Sequence, residues 1–167
     1  MSSRAKKLFL IMSVVVPFVI YSAVYYAPII RNAPFQEKYF VSLEYKWGGA
    51  KLENSYNSAT GEFKYLDKND SLINTSIKLT TRDIKYLDSI ADVQGFWNLP
   101  GIIANNESDL KNANQLRYVI KFNYQKKSKE VTYFPSFNGN EKMKGAASKV
   151  QKEIELTLID KEDEAKQ

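Results

Sequence analysis

The chain has 167 residues, of which 24 are basic and 19 acidic, giving a formal net charge of +5, and it contains neither Cys nor His. Those two absences exclude disulfides, a lipidation cysteine, thiol or Ser-His nucleophilic machinery and most transition-metal sites. Three of the basic residues, Arg4, Lys6 and Lys7, precede a long apolar run, which leaves 21 basic against the 19 acidic residues, a balance that removes most of the charge signal of a nucleic-acid binder.

Residues 8–30 read LFLIMSVVVPFVIYSAVYYAPII and carry no charge. At about 1.5 Å per residue they make a helix of roughly 34 Å, enough to cross the roughly 30 Å hydrocarbon core of a bilayer. A secretory signal peptide shares the basic start and apolar body, but its cleavage needs small residues one and three places before the cut. Ala27 is preceded at that spacing by Tyr25 and followed by Pro28, and Ala23 is preceded by Tyr21. Residues 1–31 are therefore read as an uncleaved, single-pass signal-anchor in the inner or cytoplasmic membrane. The positive-inside rule leaves Arg4, Lys6 and Lys7 in the cytoplasm and carries the C-terminal domain to the periplasmic or extracellular side. Arg31, Lys38 and Lys46 oppose that bias, whereas Tyr25 and Tyr26 fall where an aromatic belt on the exported face belongs.

Within the run, Ser13, Pro17, Tyr21 and Tyr25 recur at i+4 and form one stripe. Pro17 lacks an N–H and frees the Ser13 carbonyl, which predicts a kink. A stripe of hydroxyl, freed carbonyl and phenols sits better against another helix than against acyl chains. The competing reading is that Ser and Pro are simply tolerated there and that Tyr anchors at the interface.

Residues 32–38, with Pro34, form a short tether, and residues 39–159 form the exported domain. Tyr39, Val41, Leu43, Tyr45 and Trp47 alternate with Phe40, Ser42, Glu44 and Lys46, as in a half-buried strand ended by Gly48 and Gly49. Residues 52–57 and 62–66 predict two strands around the turn 58–61, and residues 67–70 a further turn. Residues 72–79 alternate again, with Ile73, Thr75, Ile77 and Leu79 on one face.

Thr80 followed by Asp83 opens a helix with a capping box, and Ile84, Leu87, Ile90, Ala91 and Val93 give it an apolar face stopped by Gly95. Phe96, Trp97, Leu99 and Pro100 then fold back as a core plug or, alternatively, present an aromatic ligand platform. Residues 101–115 are rich in Asn and predict a long surface loop, with Asn105 and Asn106 beside Phe96 and Trp97 as the candidate binding surface. Leu116, Tyr118, Ile120, Phe122 and Tyr124 mark the strongest strand, paired through the turn 125–128 with residues 129–134. A last helix over residues 140–159 places Met143, Ala146, Ala147, Val150 and Ile154 on one side, and residues 160–167 form a frayed, charged tail.

The order predicts an α+β chain: a single N-terminal transmembrane helix followed by a small antiparallel sheet covered by two helices. This order, with Gly95-Phe96-Trp97-Asn98-Leu99-Pro100 after the first domain helix, resembles a family of uncharacterised bacterial exported and lipoprotein domains with a ββαββα core. The chain departs from that family in lacking both the lipidation cysteine and the paired cysteines near the first hairpin. The resemblance implies a location in the cell envelope and no defined activity.

Asp67 with Asp70, and Glu107 with Asp109, lie in turns that favour Asp for backbone reasons, and no motif surrounds Ser136 or Ser148 as a nucleophile. Glycine spacing matches no phosphate-binding fingerprint. Arg117 and Lys121 between aromatic positions lack an RNP-type pattern, so nucleic acid is not an expected partner. The expectation is a non-catalytic accessory subunit without a cofactor, partnered by the bilayer and by the integral membrane proteins of a larger complex, which its domain caps on the exported side. The alternative is a stand-alone anchored domain of the envelope that binds or senses a ligand.

Overall fold

Helix α1 (Ser3–Asn32) runs without interruption through Pro17 and past the apolar segment at both ends. The computed structural model describes residues 3–32 and 35–166, with the side chains of α1 described over residues 9–27. Ala33 and Pro34 of the predicted tether and Gln167 of the predicted tail lie outside the described residues.

After the tether, strands β1 (Phe40–Gly48), β2 (Asn54–Asn57), β3 (Glu62–Leu66) and β4 (Leu72–Ser76) follow one another through short turns and pair as an antiparallel meander. Strand β5 (Ile102–Ile103) precedes the hairpin of β6 (Arg117–Tyr124) and β7 (Ser128–Tyr133). The seven strands form one sheet in the order β4-β3-β2-β1-β6-β7-β5. Its central pair, β1 with β6, runs from Phe40 opposite Tyr124 to Gly48 opposite Arg117. Only β5, which joins β7 at the edge, is parallel to its neighbour.

Helices α2 (Thr81–Val93) and α4 (Glu141–Ala165) cover one face, and a short helix α3 (Glu107–Lys111) lies in the β5–β6 connection. The Thr80 capping box forms as predicted: the hydroxyl accepts from the Asp83 amide at 3.3 Å, and the Asp83 carboxylate accepts the Thr80 amide at 2.7 Å. Gly95 ends the helical path in a left-handed conformation, φ 66°, which favours glycine. The core between helices and sheet holds Leu43, Tyr45, Tyr56, Ile120, Phe122 and Val131 from the strands, with Leu87, Ala91, Val150, Ile154 and Leu158 from the helices. The opposite sheet face is polar. There Lys121 pairs with Glu130 at 3.7 Å, and the Asn123 amide donates to Ser42 and Glu44 at 3.0 and 2.8 Å.

Five expectations about the elements of the domain are corrected here. Val41 is 55% exposed, because the β1–β6 register slips between Phe40 and Ser42 and turns Phe40, not Val41, toward the core. Strand β2 begins at Asn54 and not at residue 52, since Leu52 takes a left-handed φ of 49°. Val93, in the last turn of α2, projects into solvent. Residues 101–115 are not a structureless loop but hold β5 and α3. The predicted tail is helical through Ala165. Its charges pair along α4, Lys166 with Glu162 at 2.9 Å and Lys161 with Glu164 at 2.8 Å, and reach the domain through Tyr65, whose hydroxyl donates to Glu162 at 2.8 Å.

Candidate functional site

Two features stand out as candidates: the apolar helix and the place where it joins the domain. In α1, residues Phe9–Ala27 are long and apolar enough to cross a membrane, and no part of that segment is buried against the rest of the chain. This is the signature of a membrane anchor and equally of a signal sequence. Ser13, Pro17, Tyr21 and Tyr25 share one side of the helix. The Tyr21 and Tyr25 rings stack at 6.0 Å with an interplanar angle of 13°, and Tyr26 meets Tyr25 edge-on at 5.0 Å. Ser13 does not offer a free hydroxyl: it donates to the Leu10 carbonyl at 2.8 Å, inside its own helix. Of the side chains in the stripe, the two tyrosines offer the phenol hydroxyls to a neighbour, beside the Ser13 carbonyl that Pro17 frees.

Three residues beyond the last residue of α1, Phe35 is only 6% exposed. Its ring stacks on Trp97 at 4.8 Å and 7°, meets Tyr124 edge-on at 5.4 Å, and is covered by the Lys127 ammonium at 5.0 Å. The Tyr39 amide and carbonyl are tied to Gln36 and Gln125 at 2.8 and 2.9 Å, and Glu37 pairs with Lys85 of α2 at 3.1 Å. The second half of the predicted tether is therefore part of the domain. Sequence reading missed Phe35, although a lone aromatic between Pro34 and Gln36 was the available signal.

The candidate binding surface separates into core and scaffold. Phe96 is 0% and Trp97 3% exposed, so neither offers a ring face to a ligand, and the platform reading gives way to the core plug. The Trp97 indole N–H donates to Asp92 at 3.2 Å, satisfying its one polar atom. Asn106 caps α3, accepting from the Asp109 amide at 3.2 Å. Asn105 accepts from the Asn138 amide at 2.8 Å and donates to the Ser136 carbonyl at 3.0 Å. Arg117 holds the other end of α3. Its guanidinium donates to the Leu110 and Asn112 carbonyls at 3.1 and 2.7 Å and lies 4.9 Å over the Phe134 ring. The structure thus brings Asn105 and Asn106 together as loop fasteners, away from Phe96 and Trp97 in role.

Phenol–carboxylate pairs tie α2 and α4 to the sheet and to each other. Tyr45 donates to Glu155 at 2.6 Å, Tyr86 to Glu153 at 2.6 Å, and Tyr124 to Asp88. Burial, reinforced by the adjacent carboxylates, pushes the Tyr45 and Tyr124 phenols far above their ordinary range. Burial also raises the Asp88 carboxyl, against the lowering effect of the Tyr124 hydrogen bond. Glu153 is held low by Lys149 and Tyr86. A groove between α2 and α4 is lined by Arg82, Asp83, Tyr86, Glu153, Lys161 and Glu164, charges that largely pair with one another.

Asp67 and Asp109, singled out in the sequence as members of carboxylate pairs, accept backbone amides instead. Asp67 takes Asn69 and Ser71 at 2.7 and 2.9 Å, and Asp109 takes Asn105 at 3.0 Å. No group of three His, Cys, Asp or Glu side chains suited to a metal ion occurs among the described residues. Comparison with protein family models, curated proteins and solved structures finds no match for this chain.

Proposed function

We propose that the chain is a non-catalytic, single-pass accessory subunit of a larger integral membrane complex, with its N-terminus in the cytoplasm and its α+β domain capping the complex on the exported side. The observation that supports this reading is the pairing of an apolar segment, Phe9–Ala27, that is not buried against the described residues, with a domain whose packed core begins at Phe35, three residues beyond the last residue of α1. So short a connection keeps the domain close to the end of its helix, as a subunit that caps its membrane partners requires. Tyr21 and Tyr25, with Pro17 and Ser13 on the same stripe, are the contact residues on α1. The alternative of a stand-alone ligand-binding or sensing domain loses its aromatic platform with the burial of Phe96 and Trp97.

The test is purification of the full-length tagged chain from its native membrane in mild detergent, with mass spectrometry of what accompanies it. Integral membrane proteins in stoichiometric amount are expected, and Ser13→Leu combined with Tyr21→Leu should deplete them. A chain that emerges alone refutes the subunit reading. Replacing residues 8–30 by an unrelated apolar helix should also abolish co-purification, whereas a ligand binder would tolerate the exchange.

A further inference from the structure

The end of the sheet where β1 begins carries a lysine patch, and its place is set by covalent geometry. From Asn32 to Phe35 the chain spans three Cα steps, at most about 11 Å when fully extended. With α1 read as a membrane span, Phe35 therefore lies within about 11 Å of the helix end, comparable with the Debye length of about 8 Å at physiological salt. Three lysines belong to the segments that meet here. Lys127 lies over the Phe35 ring at 5.0 Å and Lys38 over the Tyr39 ring at 4.8 Å, while Lys126, next to Lys127 in the β6–β7 turn, is exposed. The Gln125 amide, bonded to the Tyr39 carbonyl at 2.9 Å, holds that turn against the tether.

Three carboxylates of this end have partners inside the domain, a lysine for Glu37 and neutral donors for Asp88 and Asp92. Glu37 pairs with Lys85 at 3.1 Å, Asp88 accepts the Tyr124 hydroxyl, and Asp92 accepts the Trp97 indole at 3.2 Å. Lys38 and Lys127 lie over rings, and they and Lys126 are exposed residues, so all three are accessible to an anionic surface close to the end of α1.

We infer that Lys38, Lys126 and Lys127 form a docking surface for anionic lipid headgroups, which seats the domain on the leaflet beside its own anchor. The inference rests on the membrane-anchor reading of α1 and goes beyond it by assigning a lipid chemistry to a specific edge of the domain. Juxtamembrane lysines near an anionic surface each shift such an equilibrium about fivefold, so loss of all three lowers the docked-to-undocked ratio about a hundredfold.

The full-length chain is reconstituted in vesicles of phosphatidylcholine alone or with one quarter phosphatidylglycerol. It carries a fluorophore on Ser128→Cys, beside the patch, or on Ser71→Cys in the turn at the far end of the sheet, and the lipids include a headgroup-attached quencher. Stronger quenching at position 128 in the phosphatidylglycerol vesicles is expected, lost in K38Q/K126Q/K127Q, restored in K38R/K126R/K127R, and reduced in 0.5 M salt, with position 71 indifferent throughout. Quenching at position 128 that is equal in the two vesicle types, in a chain that stays with the membrane after alkaline carbonate extraction, overturns the headgroup site alone. A chain released by carbonate overturns the anchor as well.

Discussion

The hydroxyl of Tyr45, at the centre of β1, donates to Oε1 of Glu155 on α4 at 2.6 Å, joining residues 110 positions apart in sequence. The phenol is buried in the sheet and the carboxylate sits at its margin, so the bond crosses from core to surface. Tyr45→Phe keeps the ring stacked on Trp47 and removes only the bond. A loss of about 1–2 kcal/mol in denaturant unfolding is expected, and a change below a few tenths would show that the pair adds nothing to the packing of the rings.

Asp88 gives the domain a pH dependence of definite sign. Its carboxyl is raised by burial in the folded state, so the native protein holds a proton that the unfolded chain releases. Stability is then fully present below the ordinary aspartate pKa of 3.8 and declines as pH rises from there through the raised folded value. Asp88→Asn, which can still accept from Tyr124, should remove that decline. Denaturant midpoints measured from pH 4 upward check this, and parallel curves for the two proteins would count against it.

The phenols of Tyr45 and Tyr124 are displaced upward by burial and so stay protonated in the native state well beyond the ordinary tyrosine value of 10.0. Absorbance titration near 295 nm should show their ionisation only together with unfolding, with stability lost as pH climbs above 10.0. Ionisation of all eleven tyrosines before any loss of circular dichroism would contradict the burial of these two.

Arg117, a residue only 8% exposed, supplies the closing donors of α3. Arg117→Ala removes the charged donors of the partly buried Leu110 and Asn112 carbonyls, at a cost of about 1–3 kcal/mol. Hydrogen exchange over residues 105–116 should quicken more than over β1. Unchanged protection in that segment would mean that Asn105 and Asn106 suffice to hold it.

The slipped register in β1 separates two neighbours that look alike in sequence. Val41→Lys should be neutral within about 0.5 kcal/mol, whereas Leu43→Ala should cost about 2–5 kcal/mol. Comparable losses at both sites, measured by thermal or urea unfolding, would place Val41 in the core.

Elements whose determinants are local were readable. The Thr80–Asp83 box, the alternation from Tyr118 to Tyr124 and the Ala146, Ala147, Val150 and Ile154 stripe each need only their own segment to be recognised. What escaped depends on distant residues. Val41 leaves the core because of where β6 pairs, α4 continues past residue 159 because Tyr65 and Asp83 receive its charges, and residues 101–115 are ordered because Arg117 reaches back to α3. At the candidate site, the i+4 spacing of Tyr21 and Tyr25 is visible in the sequence. The role of Phe35 is not, since a single aromatic acquires meaning only once Trp97 and Tyr124 are placed around it.

The central β1–β6 pairing also sets an order of events in time. Strands β1 to β4 can close their turns as soon as residue 76 has been made, but the other edge of β1 waits for residues 117–124, and the face carrying Tyr45, Tyr56 and Phe63 waits longer still for α4. Loops of that length are slow to close, and uncovered apolar sheet is the usual origin of misassembly. A nascent chain with α1 already in a bilayer would hold this half-built sheet at the membrane surface until its last helix emerged. Synthesis halted before residue 141 should therefore yield a chaperone-bound, protease-sensitive intermediate, because the 25-residue helix that covers the sheet is still missing.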